Sequence, residues 1–478
     1  MTLIKSVLLG SAATLVVVAG AQAADLPTKK GAPAAEYVKV CKIGDIAGFI
    51  IPGSDTCLKI GGLVSAQTTF ASTATQYAIV APTFSTAVPP KASGVSQLSS
   101  GTATNPYAYT ANKYNQIGMY TRGRVTFDAV SNTAYGPLLS HIAIEENQGG
   151  GYDSSGAGFT IDGAYLQWAG ITAGFHTSFF DFIGGGYAWD DMFSAKFDPT
   201  DQLAYTATFG GGFSATLSLE LPEARAAGTY APIAGGAASN ALYGPMYAGT
   251  ALGDQVPDIV AALDVTQGWG SAHIAGLLHQ VRQYRINHSS AEENTNSYGY
   301  GILGGVSFNI PGLGAGADIK LQGQYTDGAI GYTHLFGIGD FNFSGVAYDG
   351  ADGDAYYDNL SGSWKKPTAW GVATQIDLPL GPTFKIVPEA SYGQIHLSTP
   401  NSPGYGGVYS SLSPNVDIFV GGATLEWTPV KNLVFDLDLL YGDGHQDTPH
   451  GWNTVSGASA WKSDFSGFNG KLRIERDF

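Results

Sequence analysis

From Leu58 to Phe478 the chain alternates apolar and polar residues in segments of about ten, broken by turn residues. In the first such segment Leu58, Ile60, Val64 and Phe70 share one phase, and Lys59, Ser65 and Gln67 share the other. The second is the sharpest: Ile117, Met119, Val125 and Phe127 alternate with Gln116, Arg122, Arg124 and Asp128. A period of two is the signature of a strand with two unlike faces. No segment holds a 3.6 period, and glycine recurs every few residues, so helices are not expected. Further strands are predicted over 138–145, 160–169, 171–177, 202–209, 213–220, 259–266, 272–281, 298–310, 315–326, 368–378, 384–395, 419–428 and 433–441. A last strand starts near Phe465 and ends in Lys471-Leu472-Arg473-Ile474-Glu475-Arg476-Asp477-Phe478, with Leu472, Ile474 and Phe478 on one face. The total is sixteen.

Short Gly/Pro/Asn turns alternate with long polar connections along this series. An even number of amphipathic strands joined in that way predicts an all-β, 16-stranded antiparallel transmembrane β-barrel, lipid outside and water within. A large soluble sheet protein is the competing reading, since it too can end on an amphipathic strand. Aromatic residues on the apolar phase, among them Phe70, Tyr300, Phe308, Trp370, Phe384, Trp427 and Phe435, favour the barrel by supplying interfacial girdles. Pro388, on the outward phase, predicts a bulge or kink because it cannot donate to the ladder.

Composition agrees. Charged residues make up 13% of the chain, about half the usual share, while there are 66 glycines, 26 tyrosines and 23 phenylalanines. Lys5, an apolar run from Val7 to Ala19 and Ala21-Gln22-Ala23 predict a secretory signal peptide over 1–23. That leaves an N-terminal segment over 24–56 and the barrel over 57–478. Without Lys5 the mature chain carries 22 basic and 39 acidic residues, a net charge of −17 that disfavours a nucleic-acid partner. In an oxidising compartment Cys41 and Cys57 are expected to form one disulfide; a metal or catalytic thiol is the rival, with no histidines clustered nearby.

The candidate chemistry lies in the third long connection. After the strand ending at Thr177 come Ser178-Phe179-Phe180-Asp181-Phe182, three glycines, then Trp189-Asp190-Asp191, Lys196, and Phe197-Asp198-Pro199 before Asp201. Rings that need burial beside carboxylates that need water predict a segment folded into the lumen as a constriction, with Asp181, Asp190, Asp191, Lys196, Asp198 and Asp201 facing the stream. The alternative is an external loop. On closure, lumen-phase Lys59, Arg122, Arg124, Lys471 and Arg473 form one basic wall patch; alternatively the arginines pair with Asp128 or Glu475 and only hold the wall. An acidic segment opposite a basic wall gives charge selectivity, and the acid excess predicts mild cation preference. His141, His273 and His279 are expected to be hydrated wall residues. No nucleophile–base set, phosphate loop or metal site is apparent, so no enzymatic activity and no cofactor are expected. Asp349, Asp352, Asp354 and Asp358 read as solvated loop carboxylates rather than a calcium loop, because their spacing misses the helix–loop–helix pattern.

The leading Ala24-Asp25-Leu26-Pro27, the stretch Ile51-Pro52-Gly53-Ser54-Asp55-Thr56-Cys57-Leu58, Gly123-Arg124-Val125, Ala173-Gly174 through Phe182 and the terminal Phe478 together resemble the porins of alphaproteobacteria. The resemblance implies a homotrimer that passes small hydrophilic solutes and ions by diffusion, with the third loop as constriction. It also implies outer-membrane lipid and lipopolysaccharide as surroundings, and Phe478 as the signal read by the barrel-assembly machinery. Where that family often has a basic residue after the Ala-Gly of the fifth strand, this chain has Phe175 and then His176, which is expected to supply the wall instead. A substrate-specific channel and a closed barrel acting as an adhesin are the competing functions.

Overall fold

The computed structural model describes residues 39–71, 116–151, 158–184, 199–222, 255–286, 292–333, 363–397, 415–447 and 463–478, with the short pieces 75–76, 112–113, 225, 250–251, 253 and 354–358. Sixteen strands form one ring. They are β1 (Cys57–Ala71), β2 (Ile117–Thr133), β3 (Gly136–Gly151) and β4 (Gly158–Trp168), then β5 (Ile171–Thr177), β6 (Pro199–Gly210), β7 (Phe213–Glu220) and β8 (Asp258–Gln267). β9 (Gly270–Ile286), β10 (Glu292–Asn309), β11 (Asp318–Asp327) and β12 (Thr368–Pro379) follow. The last four are β13 (Phe384–His396), β14 (Asn415–Val430), β15 (Leu433–Gln446) and β16 (Asp464–Asp477). Each pairs antiparallel with the next, and β16 returns to β1 through Asn469↔Ala71 to Asp477↔Leu63. Closure leaves no edge within the ring, which a spanning sheet requires because lipid offers no hydrogen bonds.

Phase decides what faces where. Val64 on β1, Leu203 on β6 and Leu217 on β7 belong to an exposed apolar outer surface. Their alternating neighbours Ser65, Gln202 and Ser218 are buried on the inner face. Near the short turns, rings meet in the pairs Trp269–Phe308 and Phe384–Trp427, with centroids 5.5 and 5.9 Å apart. Near the long connections the pairs are Trp370–Tyr392 at 5.5 Å and Tyr300–Tyr325 at 6.4 Å. These are two aromatic girdles.

Pro388 behaves differently from the expectation of a bulge. Pairing between β12 and β13 skips from Gln375↔Glu389 to Leu378↔Ile386 with no register shift. The missing donor interrupts the ladder locally, and pairing to β14 runs on unbroken through Pro388↔Ala423.

Before β1 a hairpin, Val40–Ile43 and Ile46–Ile50, pairs with the start of that strand through Phe49↔Leu58 and Ile50↔Cys57. The disulfide Cys41–Cys57, with Cα atoms 5.8 Å apart, fastens it. Phe478 and Gly62 exchange backbone hydrogen bonds of 3.0 and 3.2 Å where β16 meets β1.

Candidate functional site

The lumen phase is polar over most of the ring but changes on three neighbouring strands. Val260 and Ala262 of β8, Ala275 and Leu277 of β9, and Leu303 of β10 face inward and are buried. An apolar wall facing water would be unfavourable, and here it is covered. Phe180 and Tyr332 complete this core, and Phe179 and Phe182 pack against it. Burying a ring of this size contributes roughly 1.5–3 kcal/mol. A Cβ at Gly305 would overlap the ring of Phe182, so glycine is what admits it. Phe182 also stacks on His273, centroids 5.5 Å apart and planes 9° from parallel.

Polar contacts fix the same segment. Glu220, at the end of β7, accepts from the Ser178 hydroxyl at 2.6 Å and from the Phe179 N–H at 3.1 Å. The Ile183 N–H donates to Oε1 of Gln322 on β11 at 2.9 Å. Residues 178–184 therefore run along the inner wall from β5 to β11, as the inward-folded reading expects. Aromatic spacing carried that signal. The apolar lumen phase of β8–β10, which receives the rings, was equally visible in the sequence and is the part that strand counting passes over.

The predicted constriction carboxylates have different fates. Asp181 does not face the stream: its carboxylate sits 2.5 Å from the Arg225 guanidinium, both side chains nearly inaccessible. Arg225 in turn lies 4.7 Å over the ring of Tyr332. Asp181 is an anchor because its partner comes from the next long connection. Asp201 is also corrected. It lies on the outward phase of β6 with Leu203 and Tyr205 and is exposed at the rim. Asp190, Asp191, Lys196 and Asp198 lie outside the described residues, as do Asp349 and Asp352.

Tyr332 links the seat to a polar cluster. Its hydroxyl donates to Asp258 at 2.5 Å, and His279 approaches Asp258 at 2.8 Å and Asp354 at 3.4 Å. Asp354 also accepts from the Ile330 N–H at 2.8 Å, so it is a buried structural group and not a solvated loop carboxylate. His273 and His279 are likewise buried and carboxylate-paired, His273 with Asp264 at 2.7 Å. They stand on lumen phase, but the inward segment and its neighbours remove them from water.

The basic wall residues do share one arc, interleaved with acids. Arg122 contacts Glu145 at 3.1 Å, and Arg124 contacts Glu145 at 2.7 Å and Asp162 at 2.9 Å. Arg473 donates to Asp436 at 2.8 Å and stands 3.5 Å from Glu475. Lys471 is buried opposite Asp438, and Lys59 is exposed opposite Asp128. The wall is a ladder of alternating charge rather than a patch of one sign. Of the two expected partners of the arginines, Glu475 does pair, with Arg473 at 3.5 Å, whereas Asp128 binds His141 at 2.7 Å. A one-residue register shift between β3 and β4 at Ala143/Ile144 helps bring Asp162 to Arg124.

His176 is on lumen phase and does line the wall. Its ring lies 4.5 Å from that of Tyr165 and 5.9 Å from that of Phe179. Among the described residues no group of His, Cys, Asp and Glu has the geometry to hold a metal ion.

A family profile described as a porin subfamily matches residues 25–468. The porin Omp2b of Brucella suis is 28% identical over 395 residues, covering 81% of this chain and 92% of that protein. Omp2b of Brucella melitensis is 26% identical over 409 residues, covering 77% and 97%. Among solved structures, the outer membrane channel DcaP of Acinetobacter baumannii aligns over 91% of this chain and 100% of its own with a TM-score of 0.53. At 14% identity it bears on the fold alone. These relatives are channels rather than enzymes, as the lack of a catalytic set in the sequence led us to expect. A closed sixteen-stranded ring, a segment packed inside it and a profile match over most of the length show that the chain belongs to the porin subfamily of bacterial outer-membrane channels.

Proposed function

We propose that this porin is a passive diffusion channel for small hydrophilic solutes and ions, and that its selectivity is set where the inward segment faces the charged wall. The observation that carries the reading is the anchoring of residues 178–184 inside the ring by Glu220, Gln322 and the apolar seat on β8–β10. Asp190, Asp191 and Asp198, which follow this anchor in sequence, are the carboxylates we assign to that selectivity. Fixed charges on low-dielectric walls select by sign and order the water between them.

Acid predominates on the inner face of β11–β15, where Asp318, Asp377, Glu389, Glu426, Asp436 and Asp438 outnumber Lys320 and Lys385. Mild cation preference follows. The outward phase of β2 and β3 carries Thr121, Glu146 and Gln148 between apolar neighbours, a composition suited to a subunit interface and consistent with a homotrimer. The remaining outer surface meets lipid, with lipopolysaccharide at the outer rim. Phe478, paired to Gly62 at the seam, is the residue we assign to recognition by the barrel-assembly machinery.

The test is a planar bilayer under a potassium chloride gradient, comparing the native protein with the double variant Asp190→Asn, Asp191→Asn. Conductance steps in threes, with a reversal potential favouring potassium that the double variant weakens, are expected. An anion-favouring potential refutes the selectivity, and a folded, heat-modifiable barrel with no steps refutes the channel in favour of a closed adhesin-like barrel.

A further inference from the structure

The lumen wall on β3–β5 carries a feature that diffusion does not require. His141, Tyr165 and His176 occupy the lumen phase of three successive strands, with His141↔Tyr165 and Tyr165↔Gly174 in register. Gly174 puts no side chain opposite Tyr165, where a Cβ would run into the backbone of Ala164 and Tyr165. The rings touch in series: His141 and Tyr165 stack with centroids 4.8 Å apart, Tyr165 meets His176 edge-on at 4.5 Å, and His176 stacks on Phe179 at 5.9 Å. The series ends on the first turn of the inward segment.

All four rings are partly accessible, unlike Phe180 and Tyr332 of the seat, which are buried. His141, Tyr165 and His176 thus stand outside the seat, and Phe179, which packs against it, joins the two. The adjoining inner faces of β6 and β7 carry Gln202, Thr206, Thr216 and Ser218 and no ring. Aromatic surface kept in contact with water is unfavourable unless something apolar covers it part of the time.

Local charge narrows what that something is. Asp128 at one end is tied to His141 at 2.7 Å, and Glu220 at the other to Ser178 at 2.6 Å. The nearby Arg124 is balanced by Glu145 and Asp162. A solute passing along the strip meets ring surface and hydrogen-bonding tips, the Tyr165 hydroxyl and imidazole nitrogens, with little net charge. Neutral rings with an apolar C–H face and a hydroxyl rim match that surface: the C–H face covers aromatic carbon while the hydroxyls replace water at the polar tips.

We propose that the His141–Tyr165–His176–Phe179 strip is a binding track for neutral sugars, mono- and short oligosaccharides, within the diffusion channel. This inference rests on the channel reading and names a solute class for the same lumen. The experiment uses the full mature protein in a planar bilayer, with glucose, maltose or maltotriose added at fixed potassium chloride. Reversible interruptions of the current that saturate with sugar concentration and strengthen from one ring to three are expected. In Tyr165→Ala the apparent affinity should fall about tenfold. Tyr165→Phe, which keeps the ring, should retain most of it, and it serves as the comparison if the alanine variant folds poorly. Trp370→Ala, on the outer girdle, should leave the interruptions as they are.

An open channel with no sugar-dependent interruptions overturns the track and spares the channel. Interruptions equal in the native protein, Tyr165→Ala and His176→Ala overturn it as well. Interruption by benzoate but not by sugars overturns the assignment to neutral solutes. Absence of any ion current removes the channel reading and the track together.

Discussion

Two arcs of the inner wall obey the same period-two rule with opposite chemistry. On β8–β10 the lumen phase is Val260, Ala262, Ala275, Leu277 and Leu303, and it is roofed by the rings of the inward segment. On β16, β1, β2 and β3 the lumen phase is Arg473, Lys59, Arg122, Arg124 and Glu145, and its charges pair across strands. The first arc derives stability from excluding water, the second tolerates water and places charge. In a barrel whose outer face must be greasy all round, the inner face is where two jobs can be kept apart. One anchors residues 178–184, and the other, in the proposed function, sets the charge that passing ions meet.

The comparison predicts a graded set of effects. Removing the ring in Phe180→Ala should cost about 3–5 kcal/mol of seat packing. Open-channel conductance in symmetrical potassium chloride should rise as the segment loosens, and unchanged conductance means that the apolar arc does not hold it. Arg225→Met leaves Asp181 in a buried site without its cation, a loss of order 3–5 kcal/mol. Adding Asp181→Leu should recover much of that in a thermal double-mutant cycle; additive losses would show that the two residues act separately.

Replacing both cysteines by serine removes a link of sequence separation 16, worth roughly 3 kcal/mol. The temperature at which the folded band disappears on a gel should drop while conductance stays put, since the link lies outside both arcs. The smallest energetic effect belongs to Arg124→Gln. Buried Glu145 keeps Arg122 and Asn147 as partners, and Asp162 is exposed, so the loss should stay at about 1 kcal/mol and thermal behaviour should hardly change. The reversal potential should nonetheless move toward cations, because the wall loses one positive charge and Asp162 loses its cation. A shift toward anions would contradict the charge-placing role of the second arc.

Strand number and phase were legible in the sequence because both follow from a repeat only two residues long. Arg122, Arg124, Lys471 and Arg473 all fall on the phase that the alternation predicts. What side chains do on that phase was less legible. Asp181 looks like any loop carboxylate until Arg225, 44 residues later, folds back upon it. The ladder Arg124–Glu145–Asp162 depends on a register shift that no single strand announces. Asp201 is a different kind of miss, since counting back from Leu203 and Tyr205 already gives its outward phase.

The hairpin ahead of the ring has a consequence for how such a cylinder stays singular. Pairing with β16 covers β1 from Leu63 onward and, through Phe478, Gly62. On that side the earlier residues Cys57 and Leu58 would present bare peptide groups to the periplasm, a template for any passing extended chain. The strand Ile46–Ile50 occupies this vacancy, and the bond from Cys41 to Cys57 prevents it from drifting off. Oxidation thus works as a latch on the seam, tying the strand that covers Cys57 and Leu58 to the strand it covers.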